Sequence, residues 1–460
     1  MNHPIVVVGA GASGLMAAVW AAGRGASVVL LEGTTDGGRK IVLSGGGRCN
    51  VLPAAAAPER FVTDSSPNTL RKILRAWPLD EQRAFFEREL GLPLRIEEES
   101  GKLFPASNKA REVRDRLFAA ARERGVEIRC GARVADLVPR GEAADDEAAQ
   151  KRVGAADDEA REDGDAAKNR GAASESGARW TVRLDDGAEI AAASVIVAAG
   201  GLSFPSTGSD GWGFEAARRL GHAVHAPYPA LTPLLARPAV HAHLAGISLE
   251  VALDAPGPRK SRRFAGGFLF THHGYSGPAV LDASHLAVRS RLAGGERQPI
   301  FVRWTELDAA AWDDELRGGR GAVETIVARR LPARLAETLC REAGLPDGLP
   351  ATRLPRENRL RLVESLVRYR LPWTGDEGYA KAEATGGGVD LGEVDPRTME
   401  SRLRRGLFFC GEVLDAVGPI GGHNFQWAWS TGRAAGLGAA ARSAAQRGSK
   451  PTPASALTQA

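Results

Sequence analysis

Cysteine is scarce. The chain of 460 residues holds four, Cys49, Cys130, Cys340 and Cys410. They lie far apart and form no C-x-x-C, which excludes a disulfide-stapled scaffold, a zinc ribbon and a dithiol redox centre. No metal site is expected. Cys49 and Cys410 read as small core residues rather than nucleophiles. Aromatic residues are also few, at 6%. A membrane span is missing as well. Residues 5–22 (IVVVGAGASGLMAAVWAA) are nearly all apolar, but no basic segment precedes them and glycines interrupt them, so neither a signal peptide nor a membrane helix is expected. The resulting expectation is a cytoplasmic chain with no membrane partner.

A strong charge of one sign is lacking too, since the net charge is +4. That is too mild to argue for nucleic acid. Residues 141–178, however, hold eleven acidic and five basic residues, a local −6, so the rest of the chain carries +10. Such a body attracts an anionic cofactor or substrate and, weakly, any polyanion. The 141–178 segment contains the near-repeat AADDEAAQ and AADDEARE, and Val153 is its one larger apolar residue. It buries too little surface to offset its ordering entropy and reads as a disordered insertion.

Glycine is abundant, at 55 residues. Residues 4–9 (PIVVVG) read as a strand buried on both faces, Leu15–Ala22 as a helix packed on it, and Ser27–Leu31 as a second buried strand ending at Glu32. Residues 110–124 read as a helix stopped by Gly125, with strands at Val126–Cys130 and Arg133–Leu137. Trp180–Leu184 and residues 194–201 resume the strand pattern, and residues 211–221 read as a helix. From about residue 228 short alternating strands appear (Ile247–Leu253, Gly267–Thr271, Ile300–Trp304), and residues 322–370 are mostly helical with Leu- and Arg-rich faces. From 380 the glycine-rich texture returns, with a strand at Gly406–Cys410 and a last helix from about Gln426 to 445. The pattern implies an α/β nucleotide-binding domain in two pieces, 1–225 and 376–445, carrying a β-rich insertion (226–317) and a helical one (318–375), with a mobile tail at 446–460.

Gly9-Ala10-Gly11-Ala12-Ser13-Gly14 is a G-x-G-x-x-G that follows a buried strand, opens a helix and precedes an acidic strand end at Glu32. In that context Gly9 permits the turn, Gly11 the approach of a pyrophosphate and Gly14 the helix–strand packing. Ala12 and Ser13 bring the helix N–H groups to the diphosphate, and Glu32 accepts from a ribose. Four more segments favour a flavin dinucleotide over a pyridine nucleotide. They are Gly37-Gly38-Arg39-Lys40; Ser44-Gly45-Gly46-Gly47-Arg48-Cys49-Asn50; Ala198-Ala199-Gly200-Gly201; and Cys410-Gly411-Glu412 with Gly421-Gly422-His423-Asn424 before the last helix. N–H groups at that helix start would stabilise negative charge at the N1–C2=O edge of a reduced flavin. Val134, in the Arg133–Leu137 strand, completes the candidate cofactor contacts.

These segments, with GGLSFPSTGSDGWG, FTHHGYSGPAVL, TGGGV and GLFFCGEVLDAVGPIGGHNFQWAWSTGRAAG, are similar to the HI0933-like (BaiN-type) family of FAD-binding oxidoreductases. The resemblance covers nearly the whole chain apart from 141–178 and the tail. It implies non-covalent FAD in a glutathione-reductase-like Rossmann domain with an inserted β-barrel and a small helical domain. It supports Gly9, Gly11, Gly14, Glu32, Arg39, Lys40, Ser44, Gly46, Arg48, Asn50, Gly411, Glu412, Gly422 and Asn424 as cofactor-proximal. Two departures, Val51-Leu52-Pro53 after the GRCN stretch and His423 where tyrosine is common, bear on the reaction subtype.

No second G-x-G-x-x-G stands in a strand–loop–helix context, so NAD(P)H is expected as a transient electron donor. On the substrate side, His272 and Tyr275 in Thr271–Pro278 are candidates for proton donation after hydride transfer, and Arg48 for electrostatic stabilisation of reduced flavin. The competing reading makes Thr271–Pro278 a turn with its histidines bonded to backbone. The expected activity is reduction of an unsaturated small molecule. The alternatives are an amine oxidase, a flavin-dependent enzyme reducing an RNA base, and a non-enzymatic flavin binder. An RNA target would need the basic runs at 258–263 and Arg402–Arg405 to share one face with the flavin cleft.

Overall fold

The computed structural model describes residues 3–98, 101–140, 179–257 and 261–448. The acidic insertion, the tail beyond 448 and the first half of the 258–263 basic run lie outside the described residues. The chain divides into two compact units. One comprises residues up to Gly201, Ser206–Ala226 and Gly387 onward; the other comprises Leu202–Pro205 and Pro227–Gly386. The chain leaves the first unit in strand Val224–Ala230 and re-enters it in strand Ala384–Val389.

The first unit is built on a five-stranded parallel sheet. Its order is Leu407–Phe409, Ser194–Val197, Ile5–Val8, Val28–Glu32, Glu127–Cys130. The three middle strands are apolar and buried almost throughout, as expected of parallel strands covered on both faces. The opening helix Ala12–Ala22 has almost no polar face and is buried nearly all round. It packs against the closing helix His423–Gly448. Gly432 and Gly436 make that approach possible, because a Cβ on either would collide with a carbonyl oxygen, of Ser13 and Ala17 respectively. The two chain ends therefore meet backbone to backbone. The closing helix starts three residues earlier than its composition suggests, directly after the left-handed Gly421 and Gly422.

The second unit holds a seven-stranded antiparallel sheet. Its order is Tyr369–Arg370, Phe301–Arg303, Ser248–Ala255, Arg262–Phe270, Gly274–Ser276, Leu234–Leu235, Gly375–Asp376. Its outer strands are neighbours in sequence, joined by Leu371–Thr374 alone. Seven flat strands would span about 29 Å, whereas the connection reaches at most about 19 Å. The sheet must therefore curl, although no ladder closes it among the described residues. Helices Ala309–Gly318, Val323–Val327, Ala333–Glu342 and Arg356–Val367 share its core, which contains Phe268, Phe270, Tyr275, Trp304 and Trp312.

Candidate functional site

The glycine turn separates into two kinds of position. A Cβ on Gly9 would stand 2.5 Å from the Ala198 carbonyl oxygen, and one on Gly14 would collide with the Gly9 carbonyl. Packing demands glycine at both. A Cβ on Gly11 meets nothing within 4 Å, and Gly11 has ordinary extended backbone (φ −80°, ψ −169°). Nothing in the protein itself requires glycine there. The open space lies at the start of the Ala12–Ala22 helix, which has no acidic residue in its first turn and no side-chain cap. The first N–H groups of a helix lack intrahelical acceptors and carry partial positive charge. The cradle fits a diphosphate.

Glu32 sits beside this turn at the end of its strand. One carboxylate oxygen accepts from the Ala10 N–H at 2.8 Å. The other accepts from the Thr34 N–H at 2.9 Å and the Thr34 hydroxyl at 2.7 Å. Gly208 packs on this acid, where an added Cβ would lie 2.9 Å from the Thr34 methyl. Sequence reasoning missed both Thr34 and Gly208. The available signal was a second glycine loop following the Ala199-Gly200 strand end. Arg39 clamps the turn to that loop, donating to Asp36 at 2.7 Å, Thr35 at 3.2 Å and the Ser206 carbonyl at 3.4 Å. The Ala132 N–H binds the Glu32 carbonyl at 2.9 Å, which brings buried Val134 to the same side. The would-be Cβ of Gly200 meets the Ser209 hydroxyl at 3.0 Å.

At the other end of the site the Arg39–Gly47 helix breaks at Ser44 (ψ 150°), followed by left-handed Gly45 and Gly46, while the Ser44 hydroxyl bonds back to Ile41. Lys40, two residues past Gly38, forms an ion pair of 2.6 Å with Glu412 and so ties the two sequence-distant pieces of the unit together. Gly411 is held by the Thr431 hydroxyl at 2.9 Å and by the Trp427 indole at 3.0 Å. Ser13 donates to the Cys410 carbonyl at 3.4 Å. Gly422 lies against the Leu52–Pro53 backbone and Gly421 against the Lys102 stem. Two buried side-chain oxygens at this end are left without hydrogen-bond partners, Asn50 Oδ1 and Gln426 Oε1. Buried orphans of this kind call for a polar partner. Burial, with the Arg60 charge adding to it, pushes the His423 imidazole down to about 4, so the ring is neutral.

Several candidate side chains also have partners in the protein. Asn424 bonds twice to Gly418, accepting from its N–H at 2.8 Å and donating to its carbonyl at 3.0 Å. It shapes the turn before the closing helix and keeps one N–H and one lone pair for a further partner. Arg48 pairs with Glu97 at 2.9 Å and lies 4.2 Å over the Phe104 ring. Burial raises the Cys49 and Cys410 thiols to about 12, consistent with inert core residues. Among the described residues no group of three or more His, Cys, Asp or Glu could hold a metal, and no helix is long and apolar enough to cross a membrane.

The substrate-side candidates belong to the second unit. His272 and His273 are exposed on a tight turn, which the Thr271 hydroxyl braces by accepting from the His273 and Gly274 N–H groups at 3.3 and 3.0 Å. Tyr275 does not meet the expectation of a proton donor. Its ring is fully buried, and its hydroxyl is bonded to His241 Nδ1 at 2.8 Å. Burial and the Glu342 charge raise its pKa far above the ordinary phenol value. It is an interior strut. Of the basic runs, Arg263 pairs with Asp254, and Arg402 and Arg404 bond to backbone carbonyls.

A family model described as HI0933-like protein Rossmann domain matches residues 3–163 and 165–438. The chain belongs to this family. It is 30% identical to the ribosomal RNA dihydrouridine synthase of Escherichia coli K12, over 93% of this chain and 95% of that one. It is 29% identical to the 3-dehydro-bile acid delta(4,6)-reductase of Clostridium scindens, over 96% of this chain and all of the relative. Among solved structures, the open conformation of a flavocytochrome c3 fumarate reductase overlays with a TM-score of 0.47 at 18% identity, covering 96% of this chain and 78% of that one. Family membership and a Rossmann-type dinucleotide cradle make the chain an FAD-dependent oxidoreductase.

Proposed function

We propose that this enzyme takes electrons from NAD(P)H through non-covalent FAD and reduces a carbon–carbon double bond conjugated to a carbonyl in a small molecule. The observation that carries the reading is the vacant space over Gly11 at an acid-free helix start, with the fixed carboxylate of Glu32 beside it. The names of the two relatives point to one chemistry. Dihydrouridine is uridine with its carbonyl-conjugated C5–C6 bond saturated, and a delta-4 bond beside a 3-keto group is likewise conjugated. FAD supplies two-electron hydride transfer to such a bond. The chain supplies the rest. The N–H groups of Ala12, Ser13 and Gly14 hold the diphosphate, and Glu32 receives the adenosine ribose. The start of the closing helix, also free of acidic residues, stabilises negative charge. Exposed His272 donates the proton that balances the hydride, and Arg48 acts through its charge.

A second reading takes the conjugated bond in a uridine of RNA. The +10 charge outside 141–178 and the rRNA-acting relatives favour it. Anaerobic stopped-flow at the flavin absorbance, with NADH and NADPH separately, tests the donor. Reoxidation of the reduced enzyme by a panel of enones and by uridine-containing RNA tests the acceptor. A flavin that neither pyridine nucleotide bleaches, or that no conjugated acceptor reoxidises, overturns the proposal.

A further inference from the structure

Residues 317–370 hold twelve arginines, no lysine and six acidic residues. Five of the arginines gather on one part of the second unit. Asp313 binds Arg359 at 2.7 Å and Arg317 at 2.8 Å, and it also feels the charge of Arg356. Helices Ala309–Gly318 and Arg356–Val367 pack together there. The Ala351 N–H donates to the Gly321 carbonyl at 2.9 Å, and Ala322 bridges to Pro350. Arg320 is thereby brought beside the short helix that ends at Arg353. Arg317, Arg320, Arg353 and Arg356 are exposed.

Three guanidinium groups thus act on Asp313, and the backbone links bring the Arg320 loop and the Arg353 helix together next to the helix that carries it. Five of the six acids of the stretch are engaged elsewhere, Glu324 with the Gly348 N–H, Glu342 with His241, Asp347 with Arg341, Glu357 with Arg361 and Glu364 with Arg368, and the sixth, Glu337, lies on the helix Ala333–Glu342. Arg320 and Arg353 form no ion pair among the described residues. An uncompensated, all-arginine cluster suits phosphate, which arginine grips bidentately. The surroundings expose one large apolar side chain, Leu360, and no tryptophan or phenylalanine, a poor match to a membrane interface.

We propose that this arginine surface docks the phosphate backbone of RNA, a partner assignment that rests on the second reading above. The test uses the full-length, FAD-loaded protein and a fluorescein-labelled RNA hairpin with a uridine loop, followed by anisotropy across a salt series. The variant R320Q/R353Q/R356Q should lose about 2 to 3 units of the slope of log affinity against log salt, and at least about tenfold in affinity at low salt. R71Q/R88Q/R111Q, which removes the same charge from exposed helical positions of the first unit, should keep the wild-type slope to within about one unit. Flavin absorbance, melting temperature and NAD(P)H-driven reduction of a small enone should be unchanged in both. Equal losses in the two variants would reduce the effect to net charge and overturn the assignment, as would wild-type affinity in the first variant. Loss of binding to anionic phosphatidylglycerol vesicles with RNA binding intact would also overturn it. Enone turnover in a protein that binds no RNA would overturn the docking surface and leave the reductase standing.

Discussion

Gly11 and Gly14 are three residues apart in one turn, yet their substitution should fail in opposite ways. A Cβ at Gly14 lands on the Gly9 carbonyl, so Gly14→Ala forces the helix off its strand. Overpacking of this kind costs about 1–3 kcal/mol, and backbone against backbone belongs at the upper end. For a unit of this size about 3 kcal/mol lowers the melting temperature by roughly 6–12 °C. Gly11→Val meets no protein atom, and its extended backbone suits a branched side chain. The cost to the apoprotein is the loss of a tolerable N-cap residue, about 1 kcal/mol, or roughly 2–4 °C. Its isopropyl group, however, fills the space assigned to the diphosphate. Purified Gly11→Val should therefore be colourless and folded, and Gly14→Ala should be yellow when intact but less stable. Circular dichroism melts of apoprotein, together with flavin content per chain and FAD titration, separate the two. A yellow Gly11→Val with wild-type FAD affinity would refute the placement of the diphosphate and, with it, the assignment of the site.

Three further outcomes follow from the geometry. Burial holds His222, His285 and His423 down at about 4, whereas an unfolded histidine titrates near 6.5, so the unfolded chain binds more protons between those values and stability must fall as pH drops through that window. Each contributes a loss of about 2 kcal/mol by pH 5, and urea melts at pH 7.5 and 5 that coincide would contradict the burial of these rings. Tyr275→Phe should cost about 1–2 kcal/mol through the abandoned His241 partner and leave flavin reoxidation by an enone unchanged, whereas His272→Ala should slow reoxidation by about a hundredfold without altering flavin reduction; stopped-flow of each half-reaction distinguishes them. Gly436→Val, which drives a side chain into the Ala17 carbonyl, should separate the two terminal helices and lower both melting temperature and FAD affinity, the same melt and titration providing the readout.

What the sequence reveals of the site is its backbone. A glycine marks a place where a neighbour stands in a side chain's position, where the backbone is left-handed, or where space is left open, and each constraint is local enough to read. Strand, turn and helix around Gly9–Gly14 are legible for this reason, and so are the bare turns at Ser44–Gly46 and Gly421–Gly422. Side-chain roles are less legible because their partners lie far along the chain. Lys40 and Glu412 each stand out as candidate ligand contacts, but that they pair at 2.6 Å is visible only in the fold. The sequence marks Asn424 beside the cofactor, but only the fold shows that its amide also bridges Gly418. Gly208 carries no motif of its own, and only the register of the parallel sheet brings its loop to Glu32.

The same reasoning explains why the cofactor side is fixed more firmly than the substrate side. In the site proposed above, FAD would be held largely by N–H groups and by space, properties that follow from glycine positions. A proton donor must be an accessible side chain, and accessibility is decided by the last contacts the fold makes. Tyr275 and His272 stand three residues apart in one turn, and at the level of composition they are equally good acids. The alternation of the Gly274–Ser276 strand turns Tyr275 inward to a buried histidine, while the turn before it leaves His272 in solvent. The exposed residue of the pair is therefore the one that makes no contribution to the core. A mutation at His272 that harmed stability and left turnover intact would show that this separation of fold from chemistry had been drawn in the wrong place.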